Sequence, residues 1–182
     1  KRPAEGSPYL SGMWAYTQGS ARIAQKAFSQ AREHLAQLEA LVELSRRDTG
    51  QAGATPNARI LELAALSLRG ELLEATGDLD GAIKAFEAGV ALEDLNNYTE
   101  PPDWPQPLRH YLGAALLKAN RAADAEAVYR RDLQWNHNNG WSLLGLQQAL
   151  LAQGKTEAAK VVATAFDTAW QYSNITLERS HL

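Results

Sequence analysis

The sequence predicts an all-α fold built from helical hairpins, on three observations. Apolar residues recur at spacings of three and four along most of the chain, as in Ile60, Ala64 and Leu68. Alternating β-branched stretches never exceed a few residues, so strands are not expected. A pattern of two small residues and an aromatic also repeats, as Gly70, Ala82 and Phe86 and, 43 positions later, as Gly113, Ala125 and Tyr129.

The repeat has a third, weaker copy. Ala159 and Ala163 stand 34 positions after Ala125 and Tyr129, and Gln147 replaces the glycine. Repeats of this period are typical of helical-hairpin solenoids, in which no hairpin buries its apolar face alone and neighbours must stack. Such folds usually present a surface to a partner and lack catalytic machinery.

Turn residues divide the chain into eight predicted helices. The turns within hairpins centre on Gly77, Asn120 and Gly154, which accept the left-handed conformation that a helix C-cap requires. Asp78 and Thr156 follow as expected N-caps of the returning helices. We predict helices at about residues 10–28, 30–47, 58–76, 79–93, 106–119, 122–136, 140–153 and 156–172.

Two connections are longer than the turns. Residues 48–57 are small and polar, which predicts a flexible surface loop. Residues 94–107 contain four prolines, which prevent a helix, together with the large rings of Tyr98 and Trp104. This insertion is expected to pack against something, either as a structural connector or as part of a recognition site. Residues 173–182 lack periodicity and predict an extended tail.

Composition limits the possible functions. No run approaches the roughly 18 apolar residues of a membrane helix, and the absence of cysteine excludes disulfides and thiolate metal sites. The first residue is Lys1, from which we expect a fragment or a processed form. We therefore expect a soluble protein. The sequence does not indicate whether its compartment is the cytoplasm or the periplasm.

The net charge of −3 is unevenly distributed. Residues 57–104 carry three basic and ten acidic side chains, whereas the segments before and after each carry a net +2. A nucleic-acid binder should show a basic stripe, and this chain does not. The acidic middle suits a basic partner, or else it only keeps a helical surface soluble.

Motifs for catalysis or metal binding are missing. None of the four histidines has a second ligand at a spacing that would form a metal site on one helix. Nucleophile and phosphate-loop motifs are absent as well. Glu71 and Glu74 lie three apart on one predicted helix, a pattern typical of a solvated face. We therefore predict a protein that is not an enzyme and needs no cofactor.

The pattern resembles the tetratricopeptide repeat (TPR) family between about residues 11 and 172. The best match spans Leu63 to about Glu93, later units follow at about 106–139 and 140–173, and a fainter unit precedes them. Departures from the family pattern are Asp132, where a small residue is usual, and Ala163, where an aromatic is usual. The best unit has the expected small and aromatic residues at Gly70, Gly77, Ala82, Phe86 and Gly89.

The resemblance implies a single domain of about four hairpins in a right-handed superhelical stack. These hairpins would cover about residues 10–47, 58–93, 106–136 and 140–172. The segment Glu100–Trp104 and the helix after it resemble the C-terminal part of bacterial TPR proteins in which further repeats come first.

The resemblance also implies a groove lined by the first helix of each hairpin. An extended peptide would dock there, with aromatic side chains as anchors. Trp141 is open to a second interpretation, as a core contact of the last hairpin. The family positions that line the groove are Tyr16, Ser67, Glu71, Glu74, His110, Lys118, Trp141 and Gln148. Tyr111, beside His110, is added to them as a source of apolar contact.

Three hypotheses follow. The first is a non-enzymatic module that binds a protein or peptide, with Glu71 and Glu74 meeting basic groups and the Tyr98–Trp104 insertion as a second site. The second is self-assembly through an apolar end after Gly154. The third is a small-ligand site under the insertion, with Glu100, Asp103 and His110 as its polar groups.

Overall fold

The computed structural model describes residues 7–48, 56–96 and 99–181, and over these ranges it is all-helical, as predicted. Most of the predicted loop at 48–57, and Tyr98, lie outside the described residues. Each helix begins and ends within a few residues of its predicted bounds. The helices are α1 (Pro8–Ala24), α2 (Phe28–Asp48), α3 (Pro56–Thr76), α4 (Leu79–Glu93), α5 (Leu108–Lys118), α6 (Ala122–Trp135), α7 (Gly140–Ala152) and α8 (Thr156–Trp170).

The predicted turn residues adopt the left-handed conformation. Gly77, Asn120 and Gly154 have φ values of 93°, 59° and 73°. In the first hairpin, which has no glycine at its turn, Lys26 takes this position with a φ of 58°. A left-handed residue therefore follows the first helix of every hairpin, whichever side chain it carries.

The two predicted N-caps have different outcomes. Asp78 caps α4, because its Oδ1 accepts a hydrogen bond of 2.9 Å from the amide of Gly81. The prediction for Thr156 is wrong. Lys155 occupies the N-cap of α8 and forms no side-chain capping bond, so Thr156 is already the first helical residue.

The chain forms two compact units, residues 1–105 and residues 106–182. In the first unit α1 pairs with α2 and α3 pairs with α4, and α3 packs on both α1 and α2. In the second unit α5 pairs with α6 and α7 pairs with α8, and α7 packs on both α5 and α6. Each unit thus contains two stacked hairpins.

The repeated glycines allow a helix to approach an aromatic ring. A Cβ atom at Gly70 would lie 2.3 Å from the Phe86 ring, and one at Gly113 would lie 2.3 Å from the Tyr129 ring. Tyr129 also fills the space at Gly145 of the next hairpin, where a Cβ would lie 2.2 Å from its ring. The sequence repeat is therefore a repeated packing contact.

Glycines of α1 bring the first hairpin close to the second. A Cβ atom at Gly12 would lie 2.3 Å from a methyl carbon of Leu61, and one at Gly19 would lie 2.5 Å from a methyl carbon of Leu68. Both leucines are fully buried on α3. Burial of such side chains supplies most of the stability of the hairpin stack.

Candidate functional site

The described residues that were predicted to bind a partner, in the groove or in the insertion, divide between the two units. Tyr16, Ser67, Glu71, Glu74 and Trp104 belong to the first, and His110, Tyr111, Lys118, Trp141 and Gln148 to the second. Tyr98 lies outside the described residues. In the first group Ser67 contacts Glu71 and Tyr16 contacts Trp104. In the second group Tyr111, Gln148 and the backbone of His110 each contact one non-helical segment.

The first group forms a polar cluster between α1 and α3. The fully buried Ser67 donates its hydroxyl to Glu71 Oε1 at 3.1 Å, and Tyr16 lies close enough to Glu71 for each to shift the pKa of the other. The Trp104 ring lies edge-on to Tyr16, with 5.4 Å between ring centroids, and is only 5% exposed. Part of the proline-rich insertion therefore packs on this cluster.

Burial changes the ionisation of the cluster. It raises the pKa of Glu71 to about 7, and the nearby charge of Glu74 adds to the rise, although the hydroxyls of Ser67, Ser20 and Tyr16 oppose it. Burial and then the charge of Glu71 raise the pKa of Tyr16 to about 12. A carboxyl whose pKa is raised this far is less negative near neutral pH than an exposed glutamate, so it attracts a basic partner more weakly.

A second polar network joins α5, α6 and α7. Asp132 is 1% exposed, accepts hydrogen bonds from Ser142 Oγ at 2.6 Å and from Asn136 Nδ2 at 3.0 Å, and lies 3.3 Å from His110 Nε2. Burial alone would raise the pKa of Asp132, but these partners outweigh it and lower the pKa. The departure from the TPR pattern at Asp132 therefore links three helices.

The side chain and the backbone of His110 face different surroundings. Its side chain is 5% exposed and pairs with Asp132, so the imidazole is part of the hairpin packing rather than of an open groove. The residue still contributes to the surface of α5 through its backbone. Its carbonyl oxygen accepts a hydrogen bond of 2.8 Å from the hydroxyl of Ser180.

Ser180 belongs to a non-helical segment, residues 173–181, that we call the tail segment. The segment has no regular secondary structure from residue 173 to 177 and bends at 178–180. It begins beside α8, where Trp170 Nε1 donates to the carbonyl of Ile175 at 2.7 Å. It then crosses to α5 and α7, where Ser180 is 1% exposed.

The tail segment occupies what we call the α5/α7 face, defined by Tyr111, Gln148 and the carbonyl of His110. Gln148 Nε2 donates to the carbonyl of Glu178 at 3.0 Å. The imidazole of His181 stacks on the Tyr111 ring, with 4.6 Å between centroids and an angle of 24° between the planes. Three residues predicted to hold a partner thus hold a segment of the chain itself.

Tyr129 contacts the tail segment from α6. Its hydroxyl lies 2.6 Å from Ser180 Oγ, while its ring fits against Gly113 and Gly145 of the two flanking helices. Burial raises the pKa of Tyr129, so the phenol remains protonated. The residue that defines the sequence repeat therefore also reaches the α5/α7 face.

The remaining predicted residues of the second unit have other surroundings. Trp141 is half-buried and lies edge-on to Trp170, with 5.9 Å between centroids, and Trp170 stacks on Phe166. This arrangement favours the interpretation of Trp141 as a contact within the last hairpin. Lys118 is exposed at the end of α5.

The polar residues of the third hypothesis lie in unlike surroundings. Glu100 and Asp103 are exposed, whereas His110 is buried against Asp132. These surroundings give no support to a ligand site built from the three. Across the described ranges, moreover, no group of three His, Asp or Glu side chains could hold a metal ion.

Sequence reasoning missed three residues that contact or occupy the α5/α7 face, which are Tyr129 as a polar contact, Ser180 and His181. It also missed Ser142, which belongs to the Asp132 network. Asp132 was a partial indication of the network. A carboxylate at a position where the family has a small buried residue needs hydrogen-bond donors around it. Ser180 and His181 gave no such indication, since they follow the last periodic helix. Their contacts depend on how the tail segment folds back.

The outer surface of α8 is exposed and largely apolar. Val161 is 72% exposed, and it borders a shallow groove together with Ala165 and Ala169. This surface lies in the region where the sequence predicts an apolar end. Nothing in the described residues covers it. No helix among those residues is long and apolar enough to cross a membrane.

Comparison with known proteins identifies the fold. The sequence matches no protein-family model and no curated protein. The crystal structure of MamA protein, which contains TPRs, aligns with a TM-score of 0.52 over 91% of this chain and 97% of that chain, at 14% identity. This similarity, together with the eight helices and the hairpin packing, shows that the chain has a TPR-like helical-repeat fold.

Proposed function

We propose that this protein is a non-enzymatic interaction module that binds a peptide or a non-helical protein segment on the α5/α7 face. One observation carries the proposal: the tail segment already lies there. The face offers a side-chain amide to a peptide carbonyl, a backbone carbonyl to a hydroxyl, and an aromatic ring to a planar side chain. These are contacts that any segment of similar sequence can form.

The chemistry of the face supports binding rather than catalysis. Asp132 and His110 lie 3.3 Å apart inside the helix packing, and Asp132 also accepts a hydrogen bond from Ser142. Burial raises the pKa of Tyr129, so its phenol stays neutral. None of the three is an accessible nucleophile or base. A TPR-like fold also presents helical surfaces to partners more often than it supports active sites.

A basic partner for the first unit has weaker support. The Glu71 carboxylate accepts a hydrogen bond from Ser67, and burial raises its pKa to about 7, which reduces its negative charge near neutral pH. Trp104 lies over Tyr16 and so covers part of the same surface. These contacts favour a structural role for the cluster that contains Glu71. We therefore propose the partner site on the second unit.

Releasing the tail segment tests the proposal. In Ser180→Asp the carboxylate cannot donate to the His110 carbonyl, and it adds a negative charge to a buried position, so the segment should leave the face. A fluorescent peptide of residues 172–182 should then bind the variant saturably in fluorescence anisotropy. The wild type should bind it much more weakly, because its own segment competes at millimolar effective concentration.

Thr176→Asp is the matched control, since it places the same charge at an exposed position of the same segment. It should behave like the wild type. Cleavage after the exposed Glu178 by a glutamate-specific protease reports release independently and should accelerate only in Ser180→Asp. Absence of peptide binding by the released variant, or absence of release, would contradict the proposal.

Self-assembly through the outer face of α8 is a second candidate, favoured by the 72% exposure of Val161 beside a shallow apolar groove. Burying such a surface against a second copy would remove apolar area from water. Light scattering should then give a mass above 19.9 kDa that falls to the monomer value in Val161→Glu. A monomer at high wild-type concentration would dismiss this candidate.

A further inference from the structure

We infer that the α5/α7 face selects segments in which a hydroxyl residue is followed directly by a residue with a planar ring. The inference rests on the proposed function and specifies its ligand. It is derived from the way the face holds Ser180 and His181. Ser180 Oγ contacts the His110 carbonyl and the Tyr129 hydroxyl, and the His181 ring contacts Tyr111.

The hydroxyl is required as donor and acceptor at once. Ser180 Oγ donates its single hydrogen to the His110 carbonyl at 2.8 Å, so the contact of 2.6 Å with Tyr129 is formed by the phenol donating to Ser180 Oγ. Both partners are held in place by the helices. An alanine here would leave a buried phenol and carbonyl without this hydrogen bond, a loss that costs more than a missing exposed contact.

The position of Tyr129 explains why its phenol cannot turn away to find water. Its ring is fixed between Gly113 and Gly145, where side chains on either glycine would collide with it. The side chain itself is fully buried. The face therefore presents a rigid donor at one point, which is the arrangement that discriminates best between a hydroxyl and an isosteric apolar group.

The next residue meets an aromatic surface. The imidazole of His181 lies on Tyr111 with an angle of 24° between the planes, and Tyr111 is 5% exposed and held at its hydroxyl by Gln106. A flat ring covers this surface, whereas an alkyl side chain covers it less completely. The contact favours His, Phe or Tyr at this position of a ligand.

Gln148 fixes the register of the ligand without reading its sequence. The amide donates to the carbonyl of Glu178, two residues before the serine, and every peptide has a carbonyl there. The side chains of Glu178 and Arg179 are exposed. The face therefore places the hydroxyl and the ring by a backbone contact and leaves the preceding side chains free to vary.

A peptide panel on the full chain carrying Ser180→Asp tests this selectivity. The parent peptide, residues 172–182, is compared with versions carrying Ser180→Ala, His181→Ala or His181→Phe. We expect about tenfold weaker binding for each alanine peptide, because Ser180→Ala removes the hydroxyl that makes both hydrogen bonds and His181→Ala removes the ring contact. The phenylalanine peptide should bind within about threefold of the parent.

Tyr129→Phe in the same background provides the coupling control. It removes the phenol hydrogen and keeps the ring that packs on the glycines, so the fold should be retained. The advantage of the parent over the Ser180→Ala peptide should shrink to about threefold or less, because one of the two hydroxyl contacts no longer exists. The His181→Ala penalty should stay unchanged.

The outcomes separate this inference from the proposed function. Equal affinity of all four peptides would leave peptide binding intact and overturn the selectivity. If the parent peptide keeps its full tenfold affinity advantage over the Ser180→Ala peptide in Tyr129→Phe, Tyr129 is not the residue that recognises the hydroxyl. Failure of the parent peptide itself to bind would contradict the proposed function.

Discussion

At the scale of single residues, Glu71 shows how a polar side chain in a helical repeat can oppose folding. Its pKa is raised from 4.5 to about 7, chiefly by burial, so the folded state holds a proton that the unfolded chain releases. The folded state is thus favoured most below pH 4.5, and this advantage is lost as the pH rises through about 7. The three hydroxyls around the carboxyl reduce the cost without removing it.

Glu71→Gln should therefore stabilise the protein at alkaline pH. Relative to the wild type, its free energy of unfolding should increase by about 2 kcal/mol more at pH 8 than at pH 5, because only the wild type must ionise a buried carboxyl. Urea titrations at the two pH values measure this. Glu87→Gln, at an exposed position of α4, is the control and should show no such difference; an equal effect in both variants would disprove the argument.

At the scale of elements, the helices were predictable and their polar contacts were not. The spacing of apolar residues and the turn residues predicted the eight helices of the described ranges. Both signals are local, since a turn residue such as Gly77, Asn120 or Gly154 acts on its immediate neighbours. The hydrogen bonds of His110 join it to residues 22 and 70 positions away, and no spacing rule encodes such pairs. Only the tertiary fold brings them together, which is why the tail segment was not foreseen as an occupant of the face.

The Asp132 network makes an element-scale prediction. Asp132→Ala should lower the free energy of unfolding by about 3 kcal/mol, since three helices lose a shared acceptor and buried donors are left without it. Chemical denaturation measures the change. Asp124→Ala removes an exposed ion pair with Arg121 from the same helix and should cost less than about 1 kcal/mol. Similar losses in the two variants would contradict a structural role for the network.

At the scale of the whole molecule, the tail segment occupies the α5/α7 face that we propose as the partner site. A segment bound to the folded face and absent from it in the unfolded chain stabilises the fold by mass action, whether it is attached or added. The wild type already has this contribution. The chain with Ser180→Asp has lost it and can recover it from solution.

The added peptide of residues 172–182 should therefore raise the melting temperature of the variant and leave the wild type nearly unchanged. At a peptide concentration of about 100 times its Kd, the variant gains about 2.7 kcal/mol, which corresponds to roughly 5–10 °C for a chain of this size. Differential scanning fluorimetry measures both, and a scrambled peptide should shift neither. Equal shifts in the two proteins would mean that the peptide binds away from the α5/α7 face, since in the wild type that face is occupied by a competitor that cannot diffuse away.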